Sequence, residues 1–106
     1  MGKLIAHEVA LEFVLALSPV LPRLARRDRD LAKQLRRAAA SVVLNLAEGA
    51  HSDPGNRKAR FANAAGSAKE TQSALLIAEA WGYISNPELL ALADRLVALT
   101  YGLSRT

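Results

Sequence analysis

A chain of 106 residues with a formal charge of +4 has room for one domain and a modest core. The absence of cysteine excludes a disulfide framework and thiol chemistry. No run of about eighteen apolar residues marks a membrane span. The first residues carry no signal-peptide cleavage pattern, and Ala6 stands where a myristoylation signal wants a hydroxyl; a cytoplasmic protein is expected.

Alanine and leucine dominate and β-branched residues are sparse, which favours helices. Four segments carry helical apolar periodicity. The first covers about residues 4–18, with Ile5, Val9, Phe13, Ala16 and Leu17 recurring at three and four. Pro19 and Pro22 end or kink it, and Pro22 can open a short turn carrying Leu24 and Ala25. The second covers 29–50, with Asp28 as N-cap and Asp30 in the first turn. Its stripe is Leu31, Leu35, Ala38, Val42, Asn45 and Gly49, and it stops before the turn cluster Ser52-Asp53-Pro54-Gly55. The third covers 56–82, with Asn56 as cap and a stripe of Phe61, Ala65, Ala68, Gln72, Leu75, Leu76 and Glu79. The fourth covers 87–103, opened by the Ncap–N1 pair Asn86-Pro87 and faced by Leu89, Leu92, Ala93, Leu96, Leu99 and Leu103. Four helices with short links predict an all-α, antiparallel up-and-down four-helix bundle in one domain, 1–106. Helices of unequal length should leave apolar surface that association between copies would cover.

Charge is unevenly placed. Arg26, Arg27, Arg29, Lys33, Arg36 and Arg37 crowd the start of the second helix, and Arg57, Lys58 and Arg60 start the third. A basic patch invites polyanions, although a solvated helix face needs charge as well.

Asn45 and Glu48 sit one turn apart in an apolar run, and Ser67 and Glu70 repeat that spacing beside Gly66. Gly66 costs a helix about 1 kcal/mol, which close packing of a neighbouring backbone would offset. Three readings compete for the two carboxylates. In a structural reading each is partly buried and bonded to Asn45, Ser67 or an arginine such as Arg36 or Arg37. In a metal reading Glu48 and His51 supply a Glu-x-x-His pair, but His51 follows Gly49 past the helix end and no second pair exists. In an acid–base reading the carboxylates need a substrate cleft that nothing else in the chain suggests. There is no nucleophile triad, phosphate loop or zinc spacing, so neither enzymatic activity nor a cofactor is expected.

The pieces Leu35-Arg36-Arg37-Ala38-Ala39, Ser41-Val42 and Asn45-Leu46-Ala47-Glu48-Gly49, followed by Phe61, Ala65-Gly66-Ser67-Ala68-Lys69-Glu70, Leu75 and Gly82-Tyr83, resemble the signature of a family named for a protein encoded in intervening sequences of 23S ribosomal RNA genes. The resemblance covers about residues 5–103. It implies a left-handed up-and-down four-helix bundle that assembles as a ring, typically a homopentamer, without enzymatic activity. Some similar proteins serve as accessory proteins to reverse transcriptases of diversity-generating retroelements. The resemblance makes Asn45, Glu48, Gly49, Gly66, Ser67 and Glu70 the signature positions and Arg36 and Arg37 the basic ones. The chain departs from the pattern at Pro19, Pro22 and Asp53-Pro54-Gly55.

Two functions follow as expectations. In the first, an oligomer offers a basic surface to RNA or DNA through phosphate contacts, since no helix-turn-helix, aromatic RNA platform or Gly-rich clamp is present. In the second, the oligomer is a scaffold for a protein partner and its arginines pair with acids. One contiguous basic patch would favour the first, and arginines matched to carboxylates the second.

Overall fold

Five helices make up the computed structural model, which describes residues 2–105: α1 (Gly2–Leu17), α2 (Val20–Arg27), α3 (Arg29–Ala50), α4 (Pro54–Ala80) and α5 (Pro87–Ser104). The fold is all-α, with no strand among the described residues.

The first segment is two helices instead of one with a trailing turn. The last α1 hydrogen bond runs from the Ser18 N–H to the Val14 carbonyl, and Pro19 has no N–H to continue the ladder. The axis bends by 56° between α1 and α2. Pro22 does not stop α2, because it lies in the first turn, where an N–H has no intrahelical acceptor to lose. No single helix among the described residues is long and apolar enough to cross a membrane; the bent α1–α2 pair reaches that length and composition only when taken together.

Asp28 separates α2 from α3. Its extended backbone breaks the helix, its N–H still reaches the Leu24 carbonyl, and its Oδ1 accepts from the Leu31 N–H at 3.0 Å. α4 begins two residues before the expected 56, and its cap is Asp53 rather than Asn56: Asp53 Oδ1 accepts from the Asn56 N–H at 3.0 Å. The reason is Pro54, which makes Asp53-Pro54 the same Ncap–N1 arrangement as Asn86-Pro87 at the start of α5. α4 ends at Ala80 in a Schellman motif: Gly82 takes φ of +73°, its N–H reaches the Glu79 carbonyl, and the Tyr83 N–H reaches Ala78 at 2.8 Å.

The helices pack as a ring of neighbours. α3 lies on α4, α4 on α5, α5 on α1, and α1 back on α3, with α2 seated chiefly on α3. The assembly is elongated, 42 × 22 × 19 Å. Phe13, Leu17, Leu24, Leu35, Val42, Leu46, Phe61, Leu75, Leu89 and Leu96 fill the interior. Thr71 and Thr100 are buried with them, their hydroxyls donating to the Ser67 and Leu96 carbonyls, both at 2.8 Å.

The α4 face that meets the core is rotated from the expected stripe. Phe61, Ala64, Ala68, Thr71, Ala74, Leu75 and Ala78 are buried, whereas Leu76 and Glu79 are exposed. α1 is apolar nearly all round, so Ile5 is exposed and Ala6 and Ala10 are buried.

Candidate nucleic-acid interface

α3 presents its core face through Leu31, Leu35, Val42 and Leu46, and the opposite side carries Arg29, Lys33, Arg36 and Arg37. Arg29, Lys33 and Arg36 follow one another at helical spacing along one edge. Together with Ser18, Leu21, Pro22 and Ala25 they line a groove of about 370 Å³ between α2 and α3. Arg26 lies one turn beyond Pro22 on α2 and is exposed. None of these cations forms an ion pair among the described residues.

Arg36 and Arg37 point to different neighbours, as adjacent helical residues must. Arg36 faces the α2 groove. Arg37 instead borders two grooves on the α3–α4 side, one of about 400 Å³ with Gln34, Ser41, Ser67 and Glu70, the other of about 340 Å³ with Leu44, Asn45, Glu48 and Arg60.

The remaining arginines are engaged. Arg27 stacks its guanidinium over Tyr83, 5.3 Å from the ring centroid, tying the end of α2 to the α4–α5 link. Arg57 is half-buried and its Nη2 donates to the Ser52 carbonyl at 3.2 Å. Arg60 Nε donates to Glu48 Oε2 at 2.9 Å across α3 and α4. Lys58 is exposed. Of the nine basic residues, Arg26, Arg29, Lys33, Arg36 and Arg37 on α2 and α3 and Lys58 on α4 stay free of ion pairs and stacking, whereas Arg27, Arg57 and Arg60 are committed.

Four of the signature residues, Asn45, Glu48, Ser67 and Glu70, gather on the α3–α4 face, but not as a buried carboxylate network. Glu48 and Glu70 are both exposed, and the partner of Glu48 is Arg60, not Arg36 or Arg37. Partial burial falls on Ser41, Asn45 and Ser67 instead. Ser41 Oγ and Ser67 Oγ are 2.8 Å apart across the α3–α4 seam, and Asn45 Nδ2 donates to the Ser41 carbonyl at 2.9 Å and to its Oγ at 3.1 Å. Ser41, which the sequence signature contains but to which it assigns no role, is the hub of this cluster; its signal was its position one turn before Asn45. Small hydroxyls let the two backbones approach and satisfy their own polar atoms there.

Gly49 and Gly66 also separate. A Cβ on Gly49 would stand 2.7 Å from Phe61 Cδ1, so this glycine is where α4 presses on α3. A Cβ on Gly66 would meet nothing within 4 Å. Close packing inside the chain therefore explains Gly49 and does not explain Gly66. His51 is the exposed C-cap residue of α3, and no three His, Asp or Glu side chains converge among the described residues.

The all-α fold is already represented among solved structures. A protein of unknown function from the S23 ribosomal protein family of Bacteroides thetaiotaomicron superposes with a TM-score of 0.88 at 18% identity, covering 100% of each chain. At that identity the likeness speaks for the fold. The model of the 23S rRNA-intervening sequence protein family matches residues 3–105, and the chain belongs to that family. No curated protein matches it.

Proposed function

We propose that this chain is a non-enzymatic, self-assembling binding protein of the cytoplasm that offers the α2–α3 face to the phosphate backbone of RNA or DNA. In this reading α1 and α2 act as one bent rod, and with α3, α4 and α5 they make a left-handed, up-and-down four-helix bundle. The ring of helix neighbours supports that topology. The observation that carries the functional reading is the groove lined by Arg29, Lys33 and Arg36 without an acidic partner. Unpaired cations at one-turn spacing can neutralise successive phosphates, and release of counterions then drives binding. Nothing in the groove reads base edges, so binding is weakly sequence-specific. Assembly, a homopentamer in this reading, would multiply the charge of each chain and steer polyanions more strongly.

The scaffold reading has its own observation. Arg60 is matched to Glu48, and Arg37 shares grooves with Glu70 and Glu48, around a Leu44 that is 63% exposed. An apolar knob within a charged rim is how a protein partner would be met.

Binding of nuclease-treated protein to labelled structured RNA, single-stranded DNA and duplex DNA over a salt series separates the two. Sub-micromolar affinity with a steep negative salt slope is the expected result. Absence of binding at low salt would overturn the nucleic-acid reading and leave the α3–α4 face as the docking site.

A further inference from the structure

The chain's one tryptophan stands outside the core. Trp81 is the C-cap residue of α4 and is 62% exposed. Ile77, one turn before it, is exposed as well, so an apolar edge leads up to the indole. Tyr83 meets the indole edge to face, with ring centroids 5.9 Å apart and planes at 74°. Whichever ring supplies the edge, at least one indole face stays open. Tyr83 is fixed in turn by Arg27, whose guanidinium lies 5.3 Å over its ring. An exposed ring braced in this way loses little further freedom when a ligand stacks on it.

Arg27 brings this ring to the α2–α3 corner. Arg27 and Arg29 flank Asp28 there, Arg23 lies one turn back from Arg27, and Arg29, Lys33 and Arg36 continue along the groove. The acids around the corner are Asp28, Asp30, Glu79 and Glu88. Asp28 is turned onto the Leu31 N–H, and the other three are exposed. Glu79 is two residues before Trp81, about 200° round the helix. Glu88 sits in the first turn of α5. These acids offset much of the positive charge at the corner. The pull on phosphate therefore belongs to the Arg29–Lys33–Arg36 edge, and what the corner adds is an aromatic surface.

We infer that the open face of Trp81 is a stacking platform for an unpaired base, and that the nucleic acid of the α2–α3 groove is single-stranded. The site rests on the phosphate-binding reading proposed above and names the form of its ligand. A single strand that follows Arg36, Lys33 and Arg29 arrives at the corner, where it can turn one base onto the indole. A duplex keeps its bases paired inside and would bring a second line of phosphates over the exposed acids. Every base has a π-face, so stacking adds affinity without selecting sequence, in keeping with a groove that reads no base edges. Tryptophan also suits a protein interface; the free cationic edge beside it favours the polyanion.

Trp81 is its own reporter. Oligothymidylate, which stays unpaired, and a duplex of equal length are titrated into the nuclease-treated protein at low salt while tryptophan emission is followed. Affinities of Trp81→Ala and Trp81→Phe are read by anisotropy of labelled strands over a salt series, with folding checked by circular dichroism. Oligothymidylate is expected to quench the emission and the duplex to leave it nearly unchanged. Trp81→Ala is expected to weaken single-strand binding ~10-fold, with duplex binding and the salt slope unchanged because no charge is lost. Trp81→Phe keeps most of the affinity. Were Trp81→Ala to misfold, Trp81→Leu takes its place. Single-strand binding without quenching, or equal affinities for wild type and Trp81→Ala, overturns the platform and leaves the phosphate-binding reading standing. An indole that acrylamide cannot reach in the free protein does the same, because another protein surface then covers it. Quenching by the duplex as strong as by the single strand overturns the single-strand assignment. Absence of binding by either polymer at low salt overturns both readings.

Discussion

Along the start of α3, Arg29, Lys33 and Arg36 border a groove without an acidic partner, whereas at the start of α4 Arg57 turns onto the Ser52 carbonyl and Arg60 onto Glu48. The two segments are similarly rich in arginine. What separates them is the neighbouring helix. α2 supplies leucine, proline and alanine to the groove, and α3 supplies Glu48 to α4. A cation beside apolar neighbours keeps its charge available to an external phosphate; one beside a carboxylate has spent part of it locally.

The widest break in that comparison comes from charge removal. Arg29→Ala, Lys33→Ala and Arg36→Ala together should weaken polyanion binding ~100-fold and flatten the salt slope by about 0.7 to 0.9 for each phosphate left unneutralised, with melting nearly unchanged. Arg57→Ala with Arg60→Ala should shift the slope by less than about half a unit. Equal losses from the two sets, measured by fluorescence anisotropy, would erase the distinction.

The two glycines sharpen the contrast on the stability side. Gly49→Ala forces a Cβ against the buried Phe61 ring and should cost about 1 to 3 kcal/mol in urea unfolding. Gly66→Ala, facing open space, should gain up to about 1 kcal/mol through helix propensity. A neutral Gly49→Ala would mean that α4 is free to move off α3.

Much of the fold was legible because its signals are local. The boundaries of α3 and α5 follow from Asp28 and Asn86-Pro87, whose capping chemistry needs only a few neighbouring residues. Asp53-Pro54 carries the same signal, but inside Ser52-Asp53-Pro54-Gly55 it also reads as a turn, and only the structure shows that the proline opens a helix. The α4 face was harder. With alanine at 59, 62, 64, 65, 68, 74, 78 and 80, several rotations of the helix bury similar apolar area, so periodicity alone does not select one. Contact with Phe61 and the Ser41–Ser67 bond selects it. The site was legible as a set of residues, not as a set of partners: Glu48 finds Arg60 through interhelical register, which no spacing within one segment encodes.

The Ser41–Ser67 pair should be worth more than the ion pair beside it. Ser67→Ala leaves Ser41 with Asn45 as its remaining side-chain partner and should cost about 1 kcal/mol. Glu48→Gln or Arg60→Ala acts on side chains 55% and 46% exposed, and a double-mutant cycle should return a coupling of at most about 1 kcal/mol. A coupling well above that would restore Glu48 to the role of a buried strut.

The smallest effect expected is confined to pH. Asp53 caps α4 at the corner where α3 hands over to it, and its carboxyl is held below the ordinary value of 3.8, first by the Asn56 backbone N–H, then by the Asn56 side-chain amide at 2.9 Å, with lesser help from Gly55 and Arg57. A carboxyl whose folded value is depressed stabilises the fold fully above its unfolded value and loses that contribution as pH falls through the folded one. Wild type should therefore lose melting temperature on acidification below the usual aspartate range. Asp53→Asn, which keeps a capping oxygen without the charge, should melt slightly lower than wild type at neutral pH and converge with it in acid. The difference should be small, because the group is fully exposed. Parallel melting curves for the two proteins from neutral pH into acid would show that Asp53 acts through the geometry of its cap alone, and that the start of α4 is held by Pro54 and by Arg57 on Ser52.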